Sequence, residues 1–323
     1  MFPDLEQIQK AHDKISPWIH KTPVLCSSSL NNLCGAELYF KCENFQKAGS
    51  FKIRGATNAL LCLSDEQKKN GVATHSSGNH AQAIALAAKN NEVNAYIVMP
   101  ENSSKVKIDA VKGYGAEIIF CLPNIESRQL MLDEVVSKTG AAFIHPYNDF
   151  NVIAGQATAA KELIEEKPEL DYILVPVGGG GLISGTALAA HYLSPGTVVI
   201  GAEPKAVDDA SLSLKSGTLQ KNAALRVVTR RVKTANTIAD GLMTNLGDKP
   251  FDIICRYMDD IITVTEEEII SGMQMIWERM KIIIEPSSAV AVAALFKGKN
   301  TFNGKKVGVI LTGGNVDLSR LPF

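Results

Sequence analysis

Between residues 71 and 145, short apolar runs alternate with longer stretches whose apolar residues recur at helical spacing. GVATH (71–75), NAYIVMP (94–100), EIIFCL (117–122) and AAFIH (141–145) read as buried strands. Between them, AQAIALAAKNN has the alanine and leucine content of a helix. SSKVKIDAVKGYG opens on serines and IESRQLMLDEVVSKTG closes on a glycine, the residues that start and stop helices. The strands recur at intervals of roughly 20–25 residues, room for one crossover helix per step, so a parallel α/β unit is expected.

A second series follows the first. NVIAGQATAAKELIEE is helical, DYILVPV (171–177) a strand, GLISGTALAAHYL a helix, TVVIGAEP (197–204) a strand, and KKVGVILTGGN ends a further strand in glycines. No repeat or low-complexity linker divides the two series. We therefore expect two interleaved domains, each an open, mostly parallel twisted sheet flanked by helices. The smaller, 71–148, is inserted in a larger one made of 1–70 and 149–323. Ligands of such sheets bind beyond the C-terminal strand ends, and those ends carry SSGNH, HPY, GGGG, AEP and TGGN here.

Composition narrows the partner. Of 323 residues, 46% are hydrophobic and 21% charged, and 33 basic residues nearly balance 34 acidic ones, so no net field draws the chain to nucleic acid or anionic lipid. The six cysteines show no CxxC pair and read as reduced thiols. The N-terminus lacks the pattern of a signal peptide, and no apolar run approaches the ~20 residues that span a bilayer. A soluble cytoplasmic protein with a small-molecule partner is expected, without nucleic acid or membrane.

Two stretches carry the first chemical signal. GGGGLISG (178–185) follows an apolar strand and opens a helix, so its backbone amides can approach an anion that the helix N-terminus also favours. It matches neither GxGxxG nor a P-loop, because Thr186 follows Gly185 where a P-loop has its lysine. Lys52 in SFKIR lies in a glycine-flanked turn entering a helix, and a lysine forms a Schiff base with an aldehyde. A cofactor with both a phosphate and an aldehyde answers both features, and pyridoxal 5'-phosphate is such a molecule.

With these residues in view, "SFKIRGA", "SSGNHAQA", "AGQ", "PVGGGGLISG", "ERMKIIIEPS" and "LTGGNVD" stand in the order of a known family. The chain resembles, over nearly its whole length, the serine racemase and serine/threonine dehydratase family of fold-type II pyridoxal phosphate enzymes. The resemblance implies that Lys52 carries the cofactor and Phe51 packs on its ring. Asn79 donates to the ring 3-oxygen, and Gly178, Gly179, Gly180, Gly181 and Leu182 hold the phosphate. Thr312 faces the pyridine nitrogen, where a hydroxyl instead of a carboxylate favours elimination and proton exchange over transamination. Ser77 is implied on the face opposite Lys52, so that Lys52 and Ser77 are the two bases that racemisation requires. His80 is read as structural. Arg128 and His145 match substrate-pocket or domain-closure positions, and Thr244 stands where the racemases have a serine.

Glu203 and Asp209 in GAEPKAVDD are oxygen ligands of the kind that suits magnesium or calcium. The resemblance adds the Val207 carbonyl and so implies a Mg2+, Ca2+ or Mn2+ site, and it implies ATP as an activator and a homodimer. Tyr147 is a departure, since serine racemases often read HPN where this chain reads HPY. With Phe323 following soon after the last motif, no feedback domain of the biosynthetic threonine dehydratases is expected. The expected reactions are interconversion of L- and D-serine with elimination to pyruvate and ammonia. A dedicated serine, threonine or 3-hydroxyaspartate ammonia-lyase is the alternative, and a non-catalytic nucleotide-binding or cofactor-carrier protein a third.

Overall fold

The computed structural model describes residues 1–76, 78–103, 105–221 and 237–323. Its strands are β1 (Val24–Leu25), β2 (Glu37–Cys42), β3 (Val72–His75), β4 (Ala95–Pro100), β5 (Glu117–Cys121), β6 (Ala142–Phe143), β7 (Tyr172–Pro176), β8 (Val198–Pro204), β9 (Asp260–Val264) and β10 (Lys306–Leu311). They form a six-stranded sheet in the order β1-β2-β10-β7-β8-β9 and a four-stranded sheet in the order β5-β4-β3-β6. Every pairing is parallel except β1 with β2, and helices connect most successive strands. The fold is thus the expected α/β architecture with two mostly parallel sheets.

The four strands read between 71 and 145 make up the four-stranded sheet. The last is shorter than its sequence suggested, because the next ladder donor after Ile144 would be residue 146, a proline without an N–H. Three strands of the large sheet escaped the sequence reading, the two-residue β1 (Val24–Leu25) among them. β2, in ELYFKC, pairs with β10 from Lys306↔Glu37 to Leu311↔Cys42, and β9, in DIITV, pairs with β8.

Local chemistry sets the helix ends. Asn124 caps Ile125–Thr139 by accepting from the Ser127 N–H, Gly140 ends that helix at φ 70°, and Asp149 caps Phe150–Glu166 by accepting from Asn151 and Val152. The helix Lys52–Leu61 is held by contacts rather than by a cap. A Cβ on Gly155 would fall 2.6 Å from the Gly55 Cα, so the backbones of Lys52–Leu61 and Phe150–Glu166 touch, and the Gln156 Oε1 accepts from the Gly55 N–H at 3.1 Å. On its other side, Ile53, Ala56 and Leu60 join Ile84, Ile97 and Val111 of the four-stranded unit in one apolar cluster. This helix is therefore fixed between the two sheets.

Candidate active site

A cavity of about 390 Å³ opens where the C-terminal ends of both sheets meet. Its walls come from the segments after β3 (Ser76, Gly78, Asn79), after β6 (His145 to Tyr147), after β7 (Gly178 to Leu182) and after β10 (Thr312), with Phe51 and Lys52. All the residues expected to bind the cofactor meet in this one space. Ser77 lies outside the described residues.

Lys52 is the first residue of its helix, and its amine donates to the Pro146 carbonyl at 3.2 Å. Burial lowers its pKa to about 8, with Glu285 working weakly the other way. An amine so placed is a usable nucleophile and base at neutral pH. Phe51 lies beside it, with the ring centroid 5.0 Å from Nζ. Thr312 is buried, and its carbonyl accepts from the Phe51 N–H at 3.0 Å, which ties the end of β10 to the lysine turn.

The glycine run bridges β7 and the helix Gly181–Leu193. Gly180 sits at φ 92°, a conformation that costs other residues strain, and a Cβ there would come within 2.5 Å of Pro250. A Cβ on Gly179 would meet the Tyr147 ring at 2.3 Å. The loop can take this path only as glycine, which leaves its amides bare beside the N-terminus of a helix.

Asn79 opens the helix Asn79–Asn90. Its amide donates to the Glu285 Oε1 at 2.7 Å and accepts from the Asn315 amide at 2.9 Å. Glu285 and Asn315 lie in motifs visible in the sequence, yet nothing local marked them as neighbours of Asn79. In the cavity wall, Lys107 pairs with Asp240, joining the helix Lys105–Gly113 to the short turn Asp240–Leu242.

The histidines that line the cavity, His75, His80 and His145, all have lowered pKa values. Burial lowers His145 to about 4, and its Nδ1 accepts from the Tyr147 and Asn148 N–H groups at 3.3 and 2.9 Å. His80 is buried, with burial and then Lys52 depressing its pKa, in keeping with a structural role. Burial raises Tyr147 to about 12, and its ring meets His145 edge-on at 4.6 Å. Arg128, at a position the resemblance matches to the substrate pocket or domain closure, lines the cavity. Its Nε has no hydrogen-bond partner, and burial lowers its pKa. The Thr244 hydroxyl also lines the cavity without a partner.

The acidic residues lie elsewhere, at the end of β8. Both Glu203 oxygens accept backbone N–H groups, from Ala210 at 3.0 Å and Ser211 at 2.9 Å, and the Asp209 Oδ2 accepts from Leu246 at 2.8 Å. Val207 is buried in the turn between them. Burial raises both carboxyls, Asp209 to about 6, and Asp209 pushes Glu203 further up. Among the described residues no cluster of three or more His, Cys, Asp or Glu side chains could hold a metal, so a cation here would need backbone oxygen as well. The pair also touches the glycine loop indirectly, because Leu246 packs on Gly180 and the Gly247 N–H donates to the Gly179 carbonyl.

Comparison with known proteins agrees with this geometry. The family profile described as "Pyridoxal-phosphate dependent enzyme" matches residues 15–313. A serine racemase of Dictyostelium discoideum is 49% identical over 98% of this chain and 96% of its own length. A beta-hydroxyaspartate dehydratase of Paracoccus denitrificans is 46% identical over 99% of each chain. The crystal structure of the Dictyostelium discoideum serine racemase superposes with a TM-score of 0.91 at 48% identity, covering 98% of this chain and 99% of that one. The bare glycine loop and the desolvated lysine fit the phosphate and aldehyde of that cofactor. The chain belongs to the pyridoxal-phosphate dependent enzyme family, in its fold-type II serine racemase and serine/threonine dehydratase branch.

Proposed function

We propose that this enzyme interconverts L- and D-serine and also converts serine to pyruvate and ammonia. One observation carries the reading: a desolvated lysine, bonded to a backbone carbonyl rather than to a carboxylate, shares a single cavity with a glycine cradle and a buried threonine. The near-full-length similarity to serine racemases supports it. When bound, pyridoxal phosphate supplies an electron sink for the charge left at the α-carbon. In this proposal Gly178 to Gly181 and Leu182 hold its phosphate, Phe51 covers its ring, and Asn79 and Thr312 address the ring oxygen and nitrogen. Lys52 then moves a proton at the α-carbon on one face and Ser77 on the other. Lys107 and Asp240, paired with each other, also line this cavity.

The test measures α-proton exchange in heavy water for each enantiomer. Lys52→Ala is expected to lose the cofactor's bound absorbance band and both reactions. Ser77→Ala should stop interconversion while still making pyruvate from L-serine but not from D-serine. Equal residual exchange from both enantiomers in Ser77→Ala would overturn the two-base assignment.

A second reading, a dehydratase for 3-hydroxyaspartate, is favoured by Arg128, whose guanidinium faces the cavity without an acidic partner among the described ion pairs and suits a second carboxylate. Incubation with L-serine, L-threonine and 3-hydroxyaspartate separately, with D-enantiomer and keto acid measured in each, separates the two.

The same proposal places a divalent cation on Glu203, Asp209 and the Val207 carbonyl, since two buried carboxyls with raised pKa values gain from a positive charge between them. It takes 71–148 as a small mobile domain within 1–70 and 149–323, and the assembly as a cytoplasmic homodimer activated by ATP. Gel filtration and activity with and without ATP test the last two.

A further inference from the structure

Glu285 lies at the N-cap position of the helix Pro286–Lys297, where an acidic side chain ordinarily turns back to accept from the first free N–H groups. This one does not cap. It turns into the cavity, is buried at 5% exposure, and accepts from Asn79 at 2.7 Å. The main chain holds it there, because the Glu285 N–H donates to the Gly313 carbonyl at 3.0 Å, and a Cβ on Gly313 would stand 2.8 Å from the Glu285 Oε1.

An asparagine amide is nearly symmetric in shape, and only its partners decide which end is N–H and which is oxygen. Here Asn315, which can only donate from its Nδ2, decides one end, and the accepting Oε1 of Glu285 matches the other. Glu285 offers an acceptor, so Nδ2 lies toward it, and the Asn315 Nδ2 offers a donor at 2.9 Å, so Oδ1 lies toward that side. Asn315 is itself anchored, donating to the Ala48 carbonyl at 2.8 Å. One Asn79 N–H is left over. A flipped amide would set a lone pair where a donor is needed.

We propose that Glu285 is the positioning residue that sets which way the Asn79 amide faces in the cofactor pocket, with Asn315 as the second clamp. The inference rests on the reading of Asn79 as the donor to the cofactor's ring oxygen, and it names what orients that donor. The charged groups facing Glu285 are Asp240, Lys107 and Lys52. Burial and then Asp240 raise its pKa to about 8, against weaker lowering by Lys107 and the Asn79 hydrogen bond, so it is mostly protonated at pH 7. A neutral acid with an accepting oxygen is closely imitated by glutamine.

The experiment compares holoenzymes of Glu285→Gln, Glu285→Ala, Asn315→Ala and Asn79→Ala by cofactor absorbance without substrate and by the rate of cofactor loss on dilution. Glu285→Ala is expected to shift the absorbance maximum and to loosen the cofactor on the order of tenfold, the effect of one misdirected hydrogen bond. Glu285→Gln should stay within about twofold of wild type on the same scale. Asn315→Ala should move both readouts in the direction of Glu285→Ala, which keeps the test open if the latter does not fold. Folded Glu285→Ala or Asn315→Ala with wild-type spectrum and retention overturns the inference, as does a Glu285→Gln as impaired as the alanine. An effect of Asn79→Ala unmatched by the clamps sinks the positioning role alone, whereas an Asn79→Ala without effect removes the reading of Asn79 and this inference with it.

Discussion

Arg54 is two residues beyond Lys52 on the same helix, fully buried, and replacing it with methionine tests what holds that helix in place. Its guanidinium donates to Glu43 from Nε at 2.7 Å and from NH2 at 2.8 Å, to both oxygens of Glu162 at 2.8 Å, and to the Thr158 hydroxyl at 3.1 Å. Lys41 completes the group, donating to Glu162 at 2.6 Å and to the Thr22 carbonyl at 2.7 Å. Two cations balance two carboxylates, all buried. Methionine fills much of the volume but leaves two carboxylates facing one lysine, and breaking a buried pair from one side costs about 3–5 kcal/mol. In a chain of this size that lowers the melting temperature on the order of 4–7 °C. Arg54→Lys keeps the charge without the fork, so it should fall between the two. The deficit also has a pH signature. Burial pushes Glu162 up, but Arg54 and Lys41 outweigh it and hold it below its ordinary 4.5. A depressed carboxylate contributes stability above its unfolded pKa and loses it as pH falls through the folded one. The gap between wild type and Arg54→Met, measured by thermal melts, should therefore be widest near pH 7 and narrow toward pH 4. A methionine variant that melts within a degree of wild type, or a gap independent of pH, would refute the argument.

Gly180→Ala should lower the melting temperature by the equivalent of about 2–5 kcal/mol and loosen the cofactor, because strain at φ 92° adds to overlap with Pro250 and Leu246; holoenzyme melts check it. Chelation should lower the melting temperature more at pH 8 than at pH 5. Without a cation, Asp209, raised from 3.8 to about 6, destabilises the fold as pH climbs through that window, and a bound cation removes the penalty. Equal chelator effects at both pH values would count against the carboxylate site. Lys107→Ala, which breaks an ion pair in the cavity wall, should speed cofactor loss on dilution, and an unchanged rate would show that the Lys107–Asp240 pair does not restrain it.

The alternation of apolar runs with helical stretches determined the α/β class, since strand and helix periodicities follow from local backbone geometry. The glycine run and Lys52 were likewise legible as candidates, because glycine tolerates the path around Gly180 and a lysine amine forms a Schiff base with an aldehyde. What the tertiary structure decided concerns partners far apart in the chain. Lys41 in β2 breaks the apolar pattern, which is why that strand went unread; it is buried only because Glu162, 121 residues later, waits to receive it. Arg128 reaches the cavity only where Ile125–Thr139 packs beside β3. Glu285, 206 residues from Asn79, carries no local mark of that partnership, which forms only when the ends of the two sheets meet. Local propensity fixes which elements form, but a buried charge or an oriented amide is stable only where its complement is delivered by packing, and that complement is not encoded in its own neighbourhood.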